Sequence, residues 1–187
     1  MKYFKPFMPF IACWILLLNS NNFQSLALIN GIGQLVLFLF LVCIPIWRTG
    51  RMSYVDIGWP LGVALIGIIT MILSKNLSPK IILMSSAYMI IGFRMGIGIL
   101  NMWRLGLLRK EFSRYQYQKI RWTKSKKNNI QLAQQVDAIS QGFANATFLS
   151  LPALMIWADS NVLNYVNNII FLEFVGLLVF ILAIIFE

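Results

Sequence analysis

The sequence predicts an all-α fold, a polytopic transmembrane helical bundle of about six helices in one membrane domain spanning residues 1–187. Of its 187 residues, 59% are hydrophobic and 12% are charged, and the mean hydropathy is +0.73. Soluble domains average about 45–50% apolar and about 25% charged residues, so both fractions point toward a membrane protein. Apolar runs near the roughly 20 residues needed to cross a bilayer also recur along the chain.

Six apolar segments account for the expected helices, two of them within residues 1–50. The first, Pro6–Leu18, is short and follows two lysines. We interpret it as a signal anchor, because Asn19–Asn22 offers no small-residue cleavage site for a signal peptidase. The other expected spans are Leu26–Trp47, Val55–Leu73, Ile81–Trp103, Ile139–Ala158 and Val166–Phe186.

Basic residues are distributed unevenly between the two predicted ends of the bundle. Thirteen lysines and arginines fall in the N-terminal tail, the Arg48–Arg51 loop and the long loop after the fourth helix, and two fall on the other side. The positive-inside rule therefore places both termini in the cytoplasm, and we expect the bacterial inner membrane. The net charge of +10 therefore mainly indicates which loops face the cytoplasm. We expect no nucleic-acid partner, because membrane helices separate the basic residues instead of leaving them on one soluble face.

The residue types also exclude several kinds of site. The chain has no histidine, which excludes a Ser-His-Asp or Cys-His nucleophile, an H-E-x-x-H zinc site and a His-ligated haem. Its two cysteines, Cys13 and Cys43, lie in apolar runs and are too few for a Cys₄ metal site. We expect no metal.

Two charged residues near the membrane interior need a partner or a polar cavity. Asp56 starts the third predicted helix, and Arg94 lies nine residues before Trp103, the last residue of the fourth. At 1.5 Å per residue, Arg94 is about 13 Å from the end of its helix. Either Asp56 and Arg94 pair and pin two helices together, or they face a polar cavity that opens to the cytoplasm.

The loop Arg104–Asn129 interleaves basic side chains with aromatic ones. We favour a segment that lies on anionic lipid, at about 1 kcal/mol per cation. The alternative is that these groups bind the phosphates and stack on the base of a nucleotide cofactor.

In the fifth predicted helix, Gln141 and Asn145 share a face, and Pro152 can kink the helix.

An ordered series of short motifs carries a family resemblance. The motifs are SYVDIGW (Ser53–Trp59), GFR (Gly92–Arg94), EFSRYQYQKIRW (Glu111–Trp122), QG (Gln141–Gly142), LSLP (Leu149–Pro152) and LEFVG (Leu172–Gly176). In order and spacing they resemble the bacterial DUF1295 membrane proteins, which are related to the C-terminal domain of steroid 5-alpha-reductases. The resemblance runs from about Arg51 to the end of the chain.

The resemblance implies an oxidoreductase acting on CH–CH donors. Such an enzyme uses NADPH to reduce a carbon–carbon double bond conjugated to a carbonyl in a hydrophobic, steroid-like lipid, chemistry that needs no histidine. Asp56 and Arg94 would organise a cytoplasmic cavity, and Tyr115 or Gln141 would polarise the substrate. By this resemblance the catalytic residues are Asp56, Arg94, Tyr115 and Gln141, and the cofactor-binding residues are Arg114 and Trp59.

Two departures from the family pattern affect this expectation. The family usually carries an acidic pair before the Arg-Tyr step, and here Phe112 follows Glu111 in place of the second acid. The family pattern also continues past Glu187 with an Arg-x-Pro-Asn-Tyr-like stretch that holds most NADPH contacts. We therefore expect a truncated, inactive N-terminal portion, which a C-terminal partner fragment would complete.

Other classes of protein fit the same sequence. One is a non-enzymatic membrane bundle that binds lipid or a partner subunit. Another is a fragment of an enzyme like the isoprenylcysteine carboxyl methyltransferases, whose membrane architecture is similar. A transporter fits less well, because the intramembrane charges cluster toward the predicted cytoplasmic side and no repeat is visible.

Overall fold

The computed structural model describes residues 5–124, 129–159 and 171–186, and regular structure in these ranges is helical. The predicted all-α class is confirmed. The α-helices are α1 (Met8–Leu18), α2 (Gln24–Phe38), α3 (Ile44–Thr49), α4 (Val55–Leu73), α5 (Pro79–Arg104), α6 (Ser113–Lys124), α7 (Ile130–Ala146), α8 (Leu151–Ala158) and α9 (Phe171–Phe186).

Four helical segments are long and apolar enough to cross a membrane, so this is an integral membrane protein. Their bounds are Gln24–Thr49, Met52–Leu73, Pro79–Arg104 and Ile130–Ala158. In the first, a π-helical turn over Leu39–Cys43 joins α2 to α3. Two shorter apolar helices, α1 and α9, complete the set of six apolar segments.

The fifth predicted span differs from the observed one at its start and in its interior. α7 begins at Ile130 rather than Ile139. The helix is interrupted at Thr147, where a 3-10 turn follows and α8 starts at Leu151. The break thus precedes Pro152, which lies in the first turn of α8, where a missing N–H costs nothing. Of the expected Val166–Phe186 span, residues 166–170 lie outside the described residues.

Close backbone contact joins α4 to α5, the most extensively paired helices of the described bundle. A Cβ on Gly92 would collide with the backbone of Pro60 and Ala64, and one on Gly96 would press on Leu61. Small residues of this kind let membrane helices approach closely. Gly92 and Gly96 therefore serve as packing residues, whereas Gly98 faces open space.

A cluster of buried amides links α2, α4 and α7 inside the bundle. The Gln34 amide donates to the Gly62 carbonyl at 2.8 Å, and the Asn145 amide donates to the Trp59 carbonyl at 3.1 Å. Asn145 also donates to the Gln34 side chain at 3.4 Å, and Asn30 accepts from Gln34 at 3.3 Å. We call Asn30, Gln34 and Asn145 the amide cluster. Its bonds are neutral, two to backbone carbonyls and two between side chains, which suits an apolar surrounding.

The α3–α4 turn, α6 and the start of α7 meet at one end of the bundle, which we call the basic end. Gly50 closes α3 in the left-handed region, with φ of 68°. Its carbonyl accepts from Lys119 on α6 at 2.8 Å and from Gln134 on α7 at 2.7 Å. The structure thus gathers the segments whose charges the positive-inside count placed on the same side.

Candidate functional site

Glu111, two residues before α6, connects that helix to the start of the spanning segment Met52–Leu73. Its carboxylate accepts the backbone N–H groups of Met52 at 2.8 Å and Ser53 at 3.0 Å, and the Ser53 hydroxyl at 2.7 Å. Lys119 forms an ion pair with it at 2.8 Å. Burial favours a raised pKa for Glu111, but the hydrogen bonds from Lys119 and Ser53 outweigh it and lower the pKa. Glu111 thus satisfies free N–H groups at a helix start with a negative charge.

A charged cluster next to this anchor joins α4 to α6. Asp56 lies in the first turn of α4, and its side chain is 13% exposed. Its carboxylate accepts the Tyr115 hydroxyl at 2.8 Å and pairs with the Arg114 guanidinium. Arg114 also lies over the rings of Tyr115 and Phe112, 4.9 and 5.8 Å from their centroids. Phe112 therefore supports the arginine through its ring.

The protonation states of this cluster follow from its surroundings. Burial and the neighbouring Asp56 carboxylate both raise the pKa of Tyr115, so its hydroxyl stays a proton donor at neutral pH. For Arg114, burial favours a lower pKa, but the hydrogen bond to Asp56 outweighs it and raises the pKa. The second carboxylate oxygen of Asp56, Oδ2, is buried without a hydrogen-bond partner among the described residues.

The charged cluster forms one wall of a cavity of about 580 Å³ between α4, α5, α6 and α7 at the basic end. Gln141, on the α7 wall, has no hydrogen-bond partner in the described part of the chain, so its amide is available to a ligand. The polar lining residues are Asp56, Arg114, Tyr115, Gln118, Asp137 and Gln141, and the apolar ones are Val55, Trp59, Pro60, Met95 and Ile99.

Five of the six residues expected at the site line this cavity, namely Asp56, Trp59, Arg114, Tyr115 and Gln141. Arg94 does not line it and is exposed on α5, whereas the next residue, Met95, does line it. Consecutive helix residues point about 100° apart, so these two neighbours face different surroundings. The structure places Arg114 rather than Arg94 against Asp56.

Sequence reasoning missed the helix that carries half of the polar lining. The stretch that became α6 was interpreted as a basic loop, yet Tyr115 and Trp122 are buried seven residues apart on one face. That spacing is helical and was a usable signal. Asp137 was also missed, although it lies four residues before Gln141 on the same face of α7.

The fold and the cavity together define an integral membrane helical bundle with a polar cavity at its basic end. The chain matches the model of the DUF1295 family, described as a protein of unknown function, over residues 39–187. The chain therefore belongs to the DUF1295 family, and the match begins earlier than the expected Arg51. No curated protein and no solved structure matches the chain.

Proposed function

We propose that this protein acts on a membrane lipid as a member of the NAD(P)H-dependent enone reductases, and that the cavity binds the oxygen-bearing end of that lipid. The observation that carries the proposal is that hydrogen-bonding groups, the Tyr115 hydroxyl and the Gln141 amide, line one cavity together with apolar side chains. A lipid with one carbonyl at its end combines the same two properties.

The lining supplies one unused donor group for a ligand oxygen and a second that a ligand would take over. The Gln141 amide carries two N–H groups that the described residues leave unused, and the single Tyr115 proton, which is donated to Asp56, would turn to the ligand oxygen when the ligand binds. Trp59, Pro60 and Met95 offer apolar surface for the hydrocarbon part of the ligand. Donors aimed at a carbonyl stabilise the charge that develops on its oxygen when the conjugated double bond is reduced.

The phosphates of NADPH do not fit this lining. Arg114, the residue expected to bind them, is already paired with Asp56. Asp137 adds a second carboxylate, so the formal charge of the lining is −1. A reductase of this class takes its hydride from NAD(P)H, but we assign this cavity to the lipid alone.

A binding assay on the full chain in lipid nanodiscs tests the assignment. A steroid enone and the matching hydrocarbon are titrated while tryptophan fluorescence is recorded, since Trp59 lines the cavity. Tyr115→Phe removes one hydrogen bond, so we expect about fivefold weaker enone binding and unchanged hydrocarbon binding. Tyr117→Phe, an exposed tyrosine on the same helix, is the matched control and should leave both unchanged.

Two outcomes would contradict the proposal. Equal binding of enone and hydrocarbon would remove the case for a carbonyl site at Tyr115. Enone-dependent oxidation of NADPH is the second readout, measured with the chain completed by the expected C-terminal partner fragment. If the enone binds but NADPH oxidation by this complex never responds to it, the lipid site stands and the reductase assignment fails.

The negative lining favours one second candidate, methyl transfer from a cationic sulfonium donor. Carboxylates and the face of an aromatic ring such as Trp59 attract cations. In the same assay, S-adenosylmethionine should then bind at least tenfold more tightly than the neutral S-adenosylhomocysteine. Equal binding of the two would exclude this candidate.

A further inference from the structure

We propose that a second pocket at the basic end binds the phosphate group of an anionic membrane phospholipid. This pocket has a volume of about 270 Å³ and shares no lining residue with the cavity described above. Three arginines converge on it, and its lining contains no carboxylate. We call it the arginine pocket, and its lining residues are Arg51, Tyr54, Trp103, Arg104, Gly106, Leu108 and Arg109.

A glycine turn after α5 brings two of the arginines together. Gly106 has φ of 76°, a left-handed conformation that side-chain-bearing residues rarely adopt. Its N–H donates to the Trp103 carbonyl at 2.9 Å, and its own carbonyl accepts from the Arg109 N–H at 3.0 Å. Arg104, the last residue of α5, and Arg109, in the following 3-10 turn, therefore face the same concavity.

The third arginine is held in place from the opposite wall. Arg51 donates from Nη1 to the Leu108 carbonyl at 2.8 Å and from Nη2 to the Tyr54 hydroxyl at 3.4 Å. Its guanidinium also lies 5.7 Å from the centroid of the Tyr54 ring. A guanidinium has five N–H donors, so three remain for a ligand on a side chain already oriented toward the pocket. Planar donors of this kind suit phosphate oxygens.

Apolar side chains around the arginine pocket indicate a lipid rather than a water-soluble phosphate. Leu105, Leu107 and Trp103 are 76%, 54% and 51% exposed beside the arginines. Tryptophan and arginine at the end of a spanning helix are typical of the headgroup region of a membrane. A phospholipid would place its phosphate on the guanidiniums and its glycerol and upper chain carbons against these exposed residues.

Thermal unfolding of the full chain in detergent tests the proposal. Phosphatidylglycerol, phosphatidylcholine and inorganic phosphate are each titrated, and the concentration of half-maximal stabilisation is recorded. We expect phosphatidylglycerol to stabilise the wild type at the lowest concentration. Arg104→Gln with Arg109→Gln should raise that concentration by about fivefold for each arginine removed. Arg121→Gln with Lys124→Gln removes the same charge from exposed positions on α6 and should raise it by at most about twofold.

Each alternative result overturns the proposal. Equal losses in the two double variants would mean that lipid binds through the diffuse charge of the basic end. Stabilisation by inorganic phosphate at the same concentration as phosphatidylglycerol would mean a site for a soluble anion.

If the pocket variant unfolds without lipid, Arg109→Lys keeps the charge but loses the planar donor pair. Native mass spectrometry of lipid bound to this variant then replaces the unfolding assay. We expect at least about fivefold less bound phosphatidylglycerol than in the wild type, and equal amounts would overturn the proposal. Enone binding in the separate cavity should remain unchanged in all of these variants.

Discussion

The amide cluster and the charged cluster are two polar regions of one bundle, built from different chemistry. In the amide cluster, Gln34 and Asn145 are neutral, fully buried and bonded to backbone carbonyls. In the charged cluster, Asp56 pairs with Arg114, whose side chain is 63% exposed at the basic end. The amide cluster is thus neutral, whereas the charged cluster has a guanidinium that water or lipid headgroups can reach.

The difference has an energetic basis. A charge at the centre of a membrane-spanning helix costs about 2.5–3.5 kcal/mol, whereas an amide that finds a partner avoids most of that cost. Near the end of the bundle the free-energy cost of a charge is smaller. An ion pair there can hold two side chains in one arrangement without a large loss of stability. The charged cluster is therefore suited to binding, and the amide cluster to holding helices together.

Introducing a charge into the amide cluster should have the largest effect. Asn145→Asp replaces a fully buried amide by a carboxylate, and we expect a loss of about 3 kcal/mol in the free energy of unfolding at pH 7. The measurement is a titration with sodium dodecyl sulfate in mixed micelles. Asn101→Asp makes the same change at an exposed position near the end of α5 and should cost less than about 0.5 kcal/mol. Equal losses would mean that the two regions do not differ as described.

Removing the anchor beside the charged cluster should have the next largest effect. Glu111→Ala leaves the N–H groups of Met52 and Ser53 without their acceptor and removes the counterion of Lys119. We expect a loss of about 2 kcal/mol in the same titration. Glu111→Gln keeps one acceptor oxygen and should lose about half as much. A neutral result for Glu111→Ala would show that α6 does not depend on this carboxylate.

Acid should weaken the same anchor. The folded-state pKa of Glu111 lies below its ordinary value of 4.5, so its contribution to stability is present above that pH. As the pH falls below 4.5 and through the folded-state pKa, this contribution to stability is lost. We expect the loss to be smaller than the one caused by Glu111→Ala. Unfolding measured from pH 7 down to pH 3 should show a shallower decline in Glu111→Gln than in the wild type. Parallel declines would contradict the assignment.

The turn that supports both α6 and α7 should give the smallest effect. Gly50→Ala places a Cβ on a left-handed residue, and we expect a loss of about 1 kcal/mol in the free energy of unfolding, although the Cβ meets no neighbour. Gly98→Ala is the control, because that glycine lies inside α5 with open space around it. It should stabilise by about 0.5 kcal/mol. Stabilisation by Gly50→Ala would show that the turn tolerates other backbone angles.

Sequence patterns alone were enough to predict the class of fold, the family and part of the candidate site. Within a bilayer, a single apolar run of spanning length can satisfy its own backbone hydrogen bonds only as a helix. Composition and hydropathy were therefore enough to predict the fold class. The short motifs led to the DUF1295 family and to six expected site residues, of which five line the cavity. The more specific relation to the steroid 5-alpha-reductases and the use of NADPH stay predictions.

Only the tertiary structure decided how the charges combine. The sequence left Arg94 as the candidate partner of Asp56, because both residues lie on neighbouring spans. Instead, the segment after α5 folds into a helix that lies across the start of α4 and brings Arg114 and Tyr115 to that carboxylate. Hydropathy is a sum over consecutive residues, whereas an ion pair depends on the distance between residues that are 58 positions apart. That distance exists only after the helices have packed.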